Sequence, residues 1–529
     1  MADLDPIGSV QPPSMSIQAP LLSPPLTHTS SFHGLHNFSI LGSEPLNWEQ
    51  PSTASYWSAH NRGAWNTLLG HGRNDPIPTS VETIIIGAGV SGAGIAHFLL
   101  HNENFGGSIA MFEAREVSSG ATGRNGGFVK PVPFEAYPRY KEKYGTDRAL
   151  QLVKSEYDNM KLTEQLVELG AIDAHFVIRP HHEILTDEDT VRSHNSAYAS
   201  LRRDRHLKGM EQIDGVTWFH DSEEARRVTH SKNALAAYSF DTGTIWPHRF
   251  VHGLLSNLQS SSLSNRFNLY THTPVLCISW MKDQIANSRW HVQTTRGNIT
   301  ARNVILATNG YTRHLLQSSC GMPPPPSSIN GWLQVLSRAV TPKRYQMAAY
   351  TIPESLLSSW RFNFTFGVRG PLSNGSTDKE GGYGITTYDG TLVAGSELAQ
   401  IASIVEDGPD PWMNQTDDSI VLQPSTKFYQ DFPGRVFENW ESESEGIGEG
   451  LVRTWTGIQG RTRDSLPFVG PLPGKGNNGL FVSIGFHGHG MCRTLIAARG
   501  LVHQMLSPNL EWDVRLPRPF EVTEERLQS

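Results

Sequence analysis

The chain has 529 residues, 18% of them charged, and a formal net charge of −7. That length exceeds one ordinary core and predicts two packed domains, while the acidic balance excludes the electrostatic footprint of a nucleic-acid or anionic-membrane binder. No run of eighteen apolar residues suits a membrane span, and the opening MADLDPIGSVQPPSM lacks the basic and apolar parts of a secretory signal. Cys277, Cys320 and Cys492 are widely spaced with no CxxC, so no disulfide framework and no zinc or other metal site is expected, and a reducing, cytoplasmic setting is. The sequons at Asn37, Asn298, Asn363, Asn374 and Asn414 then read as chance, and the terminal Leu-Gln-Ser departs from a peroxisomal Ser-Lys-Leu.

Residues 1–45 are rich in Pro, Ser and Thr without helical or strand period and are expected to be a disordered leader. Residues 46–79 regain aromatics, among them Trp48, Trp57 and Trp65, and read as a meander wrapped on the main body; the alternative is that Ser55-Tyr56-Trp57 covers an active site. The run Thr83–Ile86 is what a parallel strand buried on both faces needs. Gly87, Gly89 and Gly92 follow at GxGxxG spacing, and Val90 and Ser91 open a helix whose N-terminus suits phosphate. A second strand, 108–112, ends on Glu113, twenty-one residues after Gly92, where an acid that binds an adenosine ribose is expected.

Ala114-Arg115-Glu116 and then Ser119-Gly120-Ala121-Thr122-Gly123-Arg124-Asn125-Gly126-Gly127 follow. This loop resembles the one that runs toward the flavin ring in the D-amino-acid oxidase and glycine oxidase family of FAD-dependent oxidoreductases, and its likeness is strongest to the fungal branch. The resemblance implies FAD as cofactor, with Gly87, Gly89, Val90, Ser91, Gly92, Glu113, Ala114, Arg115, Ala121, Thr122, Arg124, Asn125, Gly126 and Gly127 at the nucleotide and flavin.

Farther along, apolar spacing predicts a helix over 146–168, a strand over 178–185 and a charged helix over 187–207. His181 and His182, adjacent on a strand, point to opposite faces and cannot share one metal. Asp241 to Pro247 resembles the family's return to the nucleotide domain, with Pro247 at a helix N1 position. Strands are expected over 268–278, which includes Val275, and over 290–295. The buried run Val304-Ile305-Leu306-Ala307-Thr308-Asn309-Gly310 resembles the family's strand beneath the FAD, breaking at Gly310. Pro323–Pro326 marks a loop, 342–347 resembles a family strand entering the substrate sheet, Tyr383–Thr387 and Thr391–Ala394 read as a hairpin about Asp389-Gly390, and 407–425 as a surface excursion.

The segment Arg453-Thr454-Trp455-Thr456-Gly457 through Asp464-Ser465-Leu466-Pro467-Phe468-Val469-Gly470 resembles the family's W-x-G…T-x-D-x-x-P-x-x-G block. After a buried strand at 480–484, Gly485-Phe486-His487-Gly488-His489-Gly490-Met491 opens a helix and aims backbone N–H groups at one spot, which in the family is the flavin's pyrimidine edge. His487 is the first choice for touching flavin or substrate, with Trp455 and Tyr383 as pocket walls; local hydrogen bonding and core packing are the alternatives. Arg344, Arg453 and Arg461 are candidate carboxylate clamps. Arg453 and Thr454 stand where some relatives carry a tethering cysteine, so the FAD is expected to be non-covalent.

The expected architecture is α/β: a doubly wound, mostly parallel Rossmann-like sheet binding FAD (80–170, 240–312, 450–507) and an α+β substrate domain with a mostly antiparallel sheet (171–239, 313–449), followed by a tail from 508. The expected activity is oxidation of a C–N bond of a small amine or amino acid by hydride transfer to flavin, with dioxygen as acceptor and hydrogen peroxide as product. A flavin-dependent alcohol or 2-hydroxy-acid dehydrogenase with another acceptor and a non-catalytic flavin-binding protein remain as rivals. Nothing in the sequence fixes the substrate or the oligomeric state.

Overall fold

The structure, a computed structural model, describes residues 52–60, 66–207, 215–281, 289–317, 327–354, 356–357, 364–371, 380–401, 410–440, 448–473, 479–507, 509 and 511–528. The leader, Trp48, Trp65, Cys320, Pro323–Pro326 and the sequons at Asn37, Asn363 and Asn374 lie outside them. Two sheets organise the described residues. The first runs in the order Phe468–Pro471, Leu480–Ile484, Gly297–Leu306, Ser80–Ile86, Ile109–Phe112, Phe267–Tyr270. Four of the five pairings in this order are parallel, and Thr83–Ile86 match Asn303–Leu306 on one side and Ile109–Phe112 on the other. An antiparallel flap, Val275–Trp280 with Trp290–Thr294, extends the strand Gly297–Leu306.

Burial on both faces explains the uninterrupted apolar runs in these strands. Ile85 and Ile305 pack into one cluster with the helices Val90–Leu100, Thr146–Leu169, Pro247–Ser260 and Thr494–Leu506, while Ile84, Ile86, Val304 and Leu306 pack into a second cluster on the opposite face. The alternation follows from the two-residue period of a strand.

The second sheet has the order Gly450–Arg461, Thr341–Thr351, Thr391–Gly395, Glu380–Thr386, Thr365–Arg369, Val177–Leu185, Ala236–Thr244, Phe128–Val129. All these pairings are antiparallel except Thr365–Arg369 with Val177–Leu185. This is the mixed α/β class read from the sequence.

Several boundaries move. The strand Gly450–Arg461 pairs along its whole length with Thr341–Thr351 in the second sheet, so residues 450–461 do not belong with the parallel sheet as expected. Ala236–Thr244 likewise belongs to the second sheet. The single strand expected over 268–278 is two, broken at 271–274, and the run ending at Gly310 leaves strand geometry after Leu306 and turns into a short 3₁₀ segment, Asn309–Tyr311. The region expected as a surface excursion carries a buried anchor, Asp418, and begins the helix Gln423–Val436. Cys277 is disulfide-bonded, contrary to the expectation, which removes the ground for inferring a reducing compartment; Cys492 is a free buried thiol. No described helix is long and apolar enough to cross a membrane.

Candidate active site

A cavity of about 1080 Å³ runs between the two sheets, and both glycine turns open onto it. At one end Gly87 turns with φ +108, where an added Cβ would lie 2.7 Å from the Ala307 carbonyl oxygen. Gly92 does not line the cavity: its Cβ would fall 2.0 Å from the Gly87 carbonyl oxygen, so its role is the close approach of helix to turn. Glu113 accepts the Ala88 amide (2.9 Å) on one oxygen and the Arg115 amide (3.0 Å) on the other. Burial raises its pKa against those two bonds, which also fix the plane of the carboxylate where it meets the cavity. Val275, Ala114, Ala307, Thr308 and Asn309 line the same end.

The loop from Ser119 to Gly127 is held from three directions. Thr122 Oγ1 accepts the Val90 amide (3.0 Å), tying the loop to the helix start, and Asn125 Oδ1 accepts the Gly127 amide (2.7 Å). Ser55 donates to the Gly123 carbonyl (2.6 Å), Trp57 Nε1 to that of Asn125 (2.6 Å), and Trp455 Nε1 to that of Arg124 (2.9 Å). Trp455 is fully buried in an aromatic cluster with Tyr56, Trp57 and Trp246 and does not line the cavity, so it is no pocket wall. The Ser55-Tyr56-Trp57 segment anchors this loop and does not cover the cavity either. Arg115 and Arg124 touch the cavity, but their guanidinium groups turn to Asp418 (2.8 and 3.3 Å), and Arg124 also donates to the Thr456 carbonyl (2.7 Å). Their charge is spent within the fold. Gly127, Gly310 and Gly485 lie off the cavity at close contacts with Trp57, the Gln459 carbonyl and Thr462.

At the other end Gly457, His487, Gly488, His489, Gly490 and Met491 line the cavity. Asn309 Oδ1 takes the Gly485 and Phe486 amides (3.1 and 3.2 Å), so those two N–H groups are satisfied inside the protein. His487 sits at φ +55, a left-handed conformation. Its Nδ1 accepts the Thr462 amide at 3.1 Å, which places the ring proton of the neutral form on Nε2. Burial and the nearby Arg461, Arg493 and Arg139 push its pKa down to about 3, and His489 is lowered by burial, Arg493 and Lys130. His489 is deep in the molecule yet accessible, because its free surface faces the cavity rather than bulk water.

The glycine turn, the oriented acid and a second glycine turn at opposite ends of one cavity fit a dinucleotide with a ring system at its far end. The volume, at the top of the range of about 300–1,000 Å³ usual for ligand pockets, leaves room for a substrate beside it. The family model of FAD-dependent oxidoreductases (DAO) matches residues 82–504. The chain belongs to that family, and FAD is its cofactor. Among related solved structures are glycine oxidase from Geobacillus kaustophilus (20% identity, TM-score 0.58, covering 84% of this chain and 99% of that one) and L-amino acid deaminase from Proteus vulgaris (14%, TM-score 0.60, 86% and 100%). Iminodiacetate oxidase from Chelativorans sp. BNC1 also matches (17%, TM-score 0.54, 80% and 95%). These share the fold. A curated Rhizobium meliloti oxidoreductase, OrdL, is 26% identical over 243 residues, a match that spans 45% of this chain and 52% of that relative.

Beside the FAD end, the second sheet and the helix Tyr137–Tyr144 bring together residues that no local pattern marks. Tyr383 lines the cavity as expected, with its hydroxyl 3.4 Å from Met347 Sδ, and Tyr345 hydrogen-bonds to it. Lys130, Glu135 and Arg369 also line it, around the fully buried Glu183, which accepts from Lys130 (2.5 Å) and Arg369 (3.2 Å) and lies 3.1 Å from His181 Nε2. Arg369 also meets Glu135 at 3.1 Å. These cations hold Glu183 well below the usual carboxylate range despite its burial. Arg461 alone of the three candidate clamps lines the cavity, paired with Glu397 (3.1 Å); Arg344 donates to the Asp417 and Pro411 carbonyls, and Arg453 lies away. Arg139, unmarked in the sequence, lines the cavity with no ion pair or hydrogen bond among the described residues; the Tyr140 ring lies beside it, 5.5 Å from the guanidinium carbon.

Proposed function

We propose that this FAD-dependent oxidoreductase oxidises the C–N bond of an amino acid, or of another small amine bearing a carboxylate, with dioxygen as electron acceptor. FAD, when bound, supplies the two-electron acceptor for the substrate's α C–H bond. Arg139 is the observation that carries the reading. Lys130, Arg369, Arg461 and Arg493 each have a carboxylate partner, at Glu183, Glu135, Glu397 and Glu156 respectively or shared. Arg139 has none, so it is the cation left to meet a substrate's own carboxylate. The structures of similar fold, a glycine oxidase, an L-amino acid deaminase and an iminodiacetate oxidase, support the same substrate class.

The surrounding residues favour a reactive amine. Oxidation at the α carbon needs a neutral nitrogen, and the burial and nearby cations that keep His487 and His489 unprotonated act equally against an ammonium ion placed beside them. His487 then offers an Nε2–H donor of fixed tautomer, able to orient substrate or cofactor but not to take a proton there. Tyr345, Met347 and Tyr383 form the apolar side of the pocket. The proposal keeps FAD non-covalent, since Cys492, the free cysteine on the cavity, is buried and donates to the His489 carbonyl, with its thiol pKa raised by burial. Its placement in the fungal branch rests on the loop resemblance alone.

The test is anaerobic bleaching of the purified yellow protein by a panel of amino acids, secondary amino acids, simple amines and 2-hydroxy acids, followed by peroxide release in air. Bleaching by carboxylate-bearing amines with peroxide release is expected. Bleaching by 2-hydroxy acids alone would move the chain to the dehydrogenase reading, and no bleaching by any amine would leave the oxidase reading without support.

A further inference from the structure

Arg461 and His487 belong to the walls of two cavities. The second, of about 740 Å³, is bounded by the helix Ser327–Ala339, the start of the strand Thr341–Thr351, residues 461–468 and the helix Glu524–Gln528. Its charge is lopsided. Arg338, Lys343, Arg461, Arg463 and Arg526 line it against one acid, Asp464, in a chain whose net charge is −7. Arg526 is matched to Asp464 (2.8 Å), and Lys343 and Arg461 share Glu397, which lies on the cofactor cavity (2.8 and 3.1 Å). Arg338 and Arg463 make no ion pair or hydrogen bond among the described residues, and Arg461 Nε is buried without a partner.

A concave site with unmatched cations focuses a positive potential and excludes metal ions and ammonium ligands. Part of its remaining wall is apolar: Val335, Ala339, Phe468 and Leu527 belong to one hydrophobic cluster that reaches this surface, beside the polar Thr341, Thr462 and Gln528. Apolar walls with a few convergent charged groups are the make-up of a small-molecule site. We propose that the second cavity binds a small organic anion with an apolar body, held by Arg338 and Arg463, and that the cofactor site senses it through the shared Arg461 and His487. An anion there offsets part of the positive field on His487 and alters the environment at the adjoining end of the cofactor cavity.

Calorimetric titration of the FAD-loaded protein with 2-naphthalenesulfonate tests this, with the flavin absorbance bands followed in parallel. One saturable site is expected, weakened by added salt and accompanied by a shift of the flavin bands. The double variant Arg338→Glu, Arg463→Glu, whose sites are exposed and outside the cofactor cavity, should bind at least about tenfold more weakly while keeping its FAD. Arg139→Leu should leave binding unchanged. Unaltered affinity in the double variant, equal binding of the uncharged 2-naphthalenemethanol, or loss of binding in Arg139→Leu alone would each overturn the proposal, the last by placing the anion in the cofactor cavity.

Discussion

Arg139 and His487 make opposite demands on a mutagenesis experiment. Replacing Arg139 by leucine removes one charge-assisted contact, expected to cost about 1.5–3 kcal/mol, or roughly ten- to a hundredfold in kcat/KM. Because the contact is made in both bound and transition states, KM should rise while kcat holds, and only for substrates that carry a carboxylate; equal losses for simple amines would mean that Arg139 is not an anchor. His487 has both a structural bond and a free ring edge. His487→Asn keeps an acceptor for the Thr462 amide and suits the left-handed φ, whereas His487→Ala keeps neither. If the Nε2 edge matters to turnover, both variants reduce slowly in anaerobic stopped flow, but only the alanine variant loses FAD. Normal reduction by a fully loaded His487→Asn protein would confine the residue to holding the turn.

The loop from Ser119 to Gly127 is the element on which the cofactor site turns, and its supports come from far away in the chain. Trp57 and Trp455 approach it from opposite ends of the sequence and donate to consecutive carbonyls, those of Asn125 and Arg124. Trp57→Ala empties a fully buried ring, a loss of about 3–5 kcal/mol, and should release FAD well before the protein melts, as flavin fluorescence during a thermal ramp would report. Gly89→Ala should also yield colourless protein: its methyl would lie 2.9 Å from Thr122 Oγ1, the atom that ties the loop to the helix, so retention of full yellow colour would contradict the account. Local patterns made the glycine turns, the strand Ser80–Ile86, Glu113 and the hairpin about Asp389 legible, since each is written within a few dozen residues. Lys130, Glu183 and Arg369 were not legible, because their meaning lies in pairings across tens to hundreds of positions. Trp455 stayed open between pocket wall and core packing for the same reason: the local sequence offers a tryptophan, but only packing shows that its indole faces a backbone carbonyl instead of the cavity.

For the molecule as a whole, acid is the predicted weakness. Burial pushes His181 and His252 down to about 3, and His182 and His248 to about 4, so all four are neutral when folded. The unfolded chain takes up protons at these residues near pH 6.5, so stability falls as pH drops below 6.5 and goes on falling toward 3. Glu183, whose folded pKa is depressed, adds stability that is present above about pH 4.5 and lost as pH falls further. Thermal melts should therefore decline steadily below pH 6.5 and be flat from about pH 7 until the unfolded thiol and phenols begin to ionise, at about 8.5 and 10, above which the raised pKa values of Cys492 and of buried tyrosines such as Tyr238 bring a second decline; His248→Leu with His252→Leu should flatten the upper part of the acid decline. Glu183→Gln should cost about 3–5 kcal/mol at neutral pH by stranding Lys130 and leaving Arg369 with Glu135 alone, and an unchanged melting temperature would refute the buried network's importance. The topology has a consequence in time. Gly87 and Gly488 face one cavity from about four hundred residues apart, and the parallel strand Leu480–Ile484 joins the strand Gly297–Leu306 only once the chain has been made as far as Ile484. At translation speeds of about 5–20 residues per second, roughly twenty to eighty seconds separate the emergence of the two turns from the ribosome. During that interval the first turn has no completed pocket to offer, so a nascent chain arrested before residue 480 should bind no FAD.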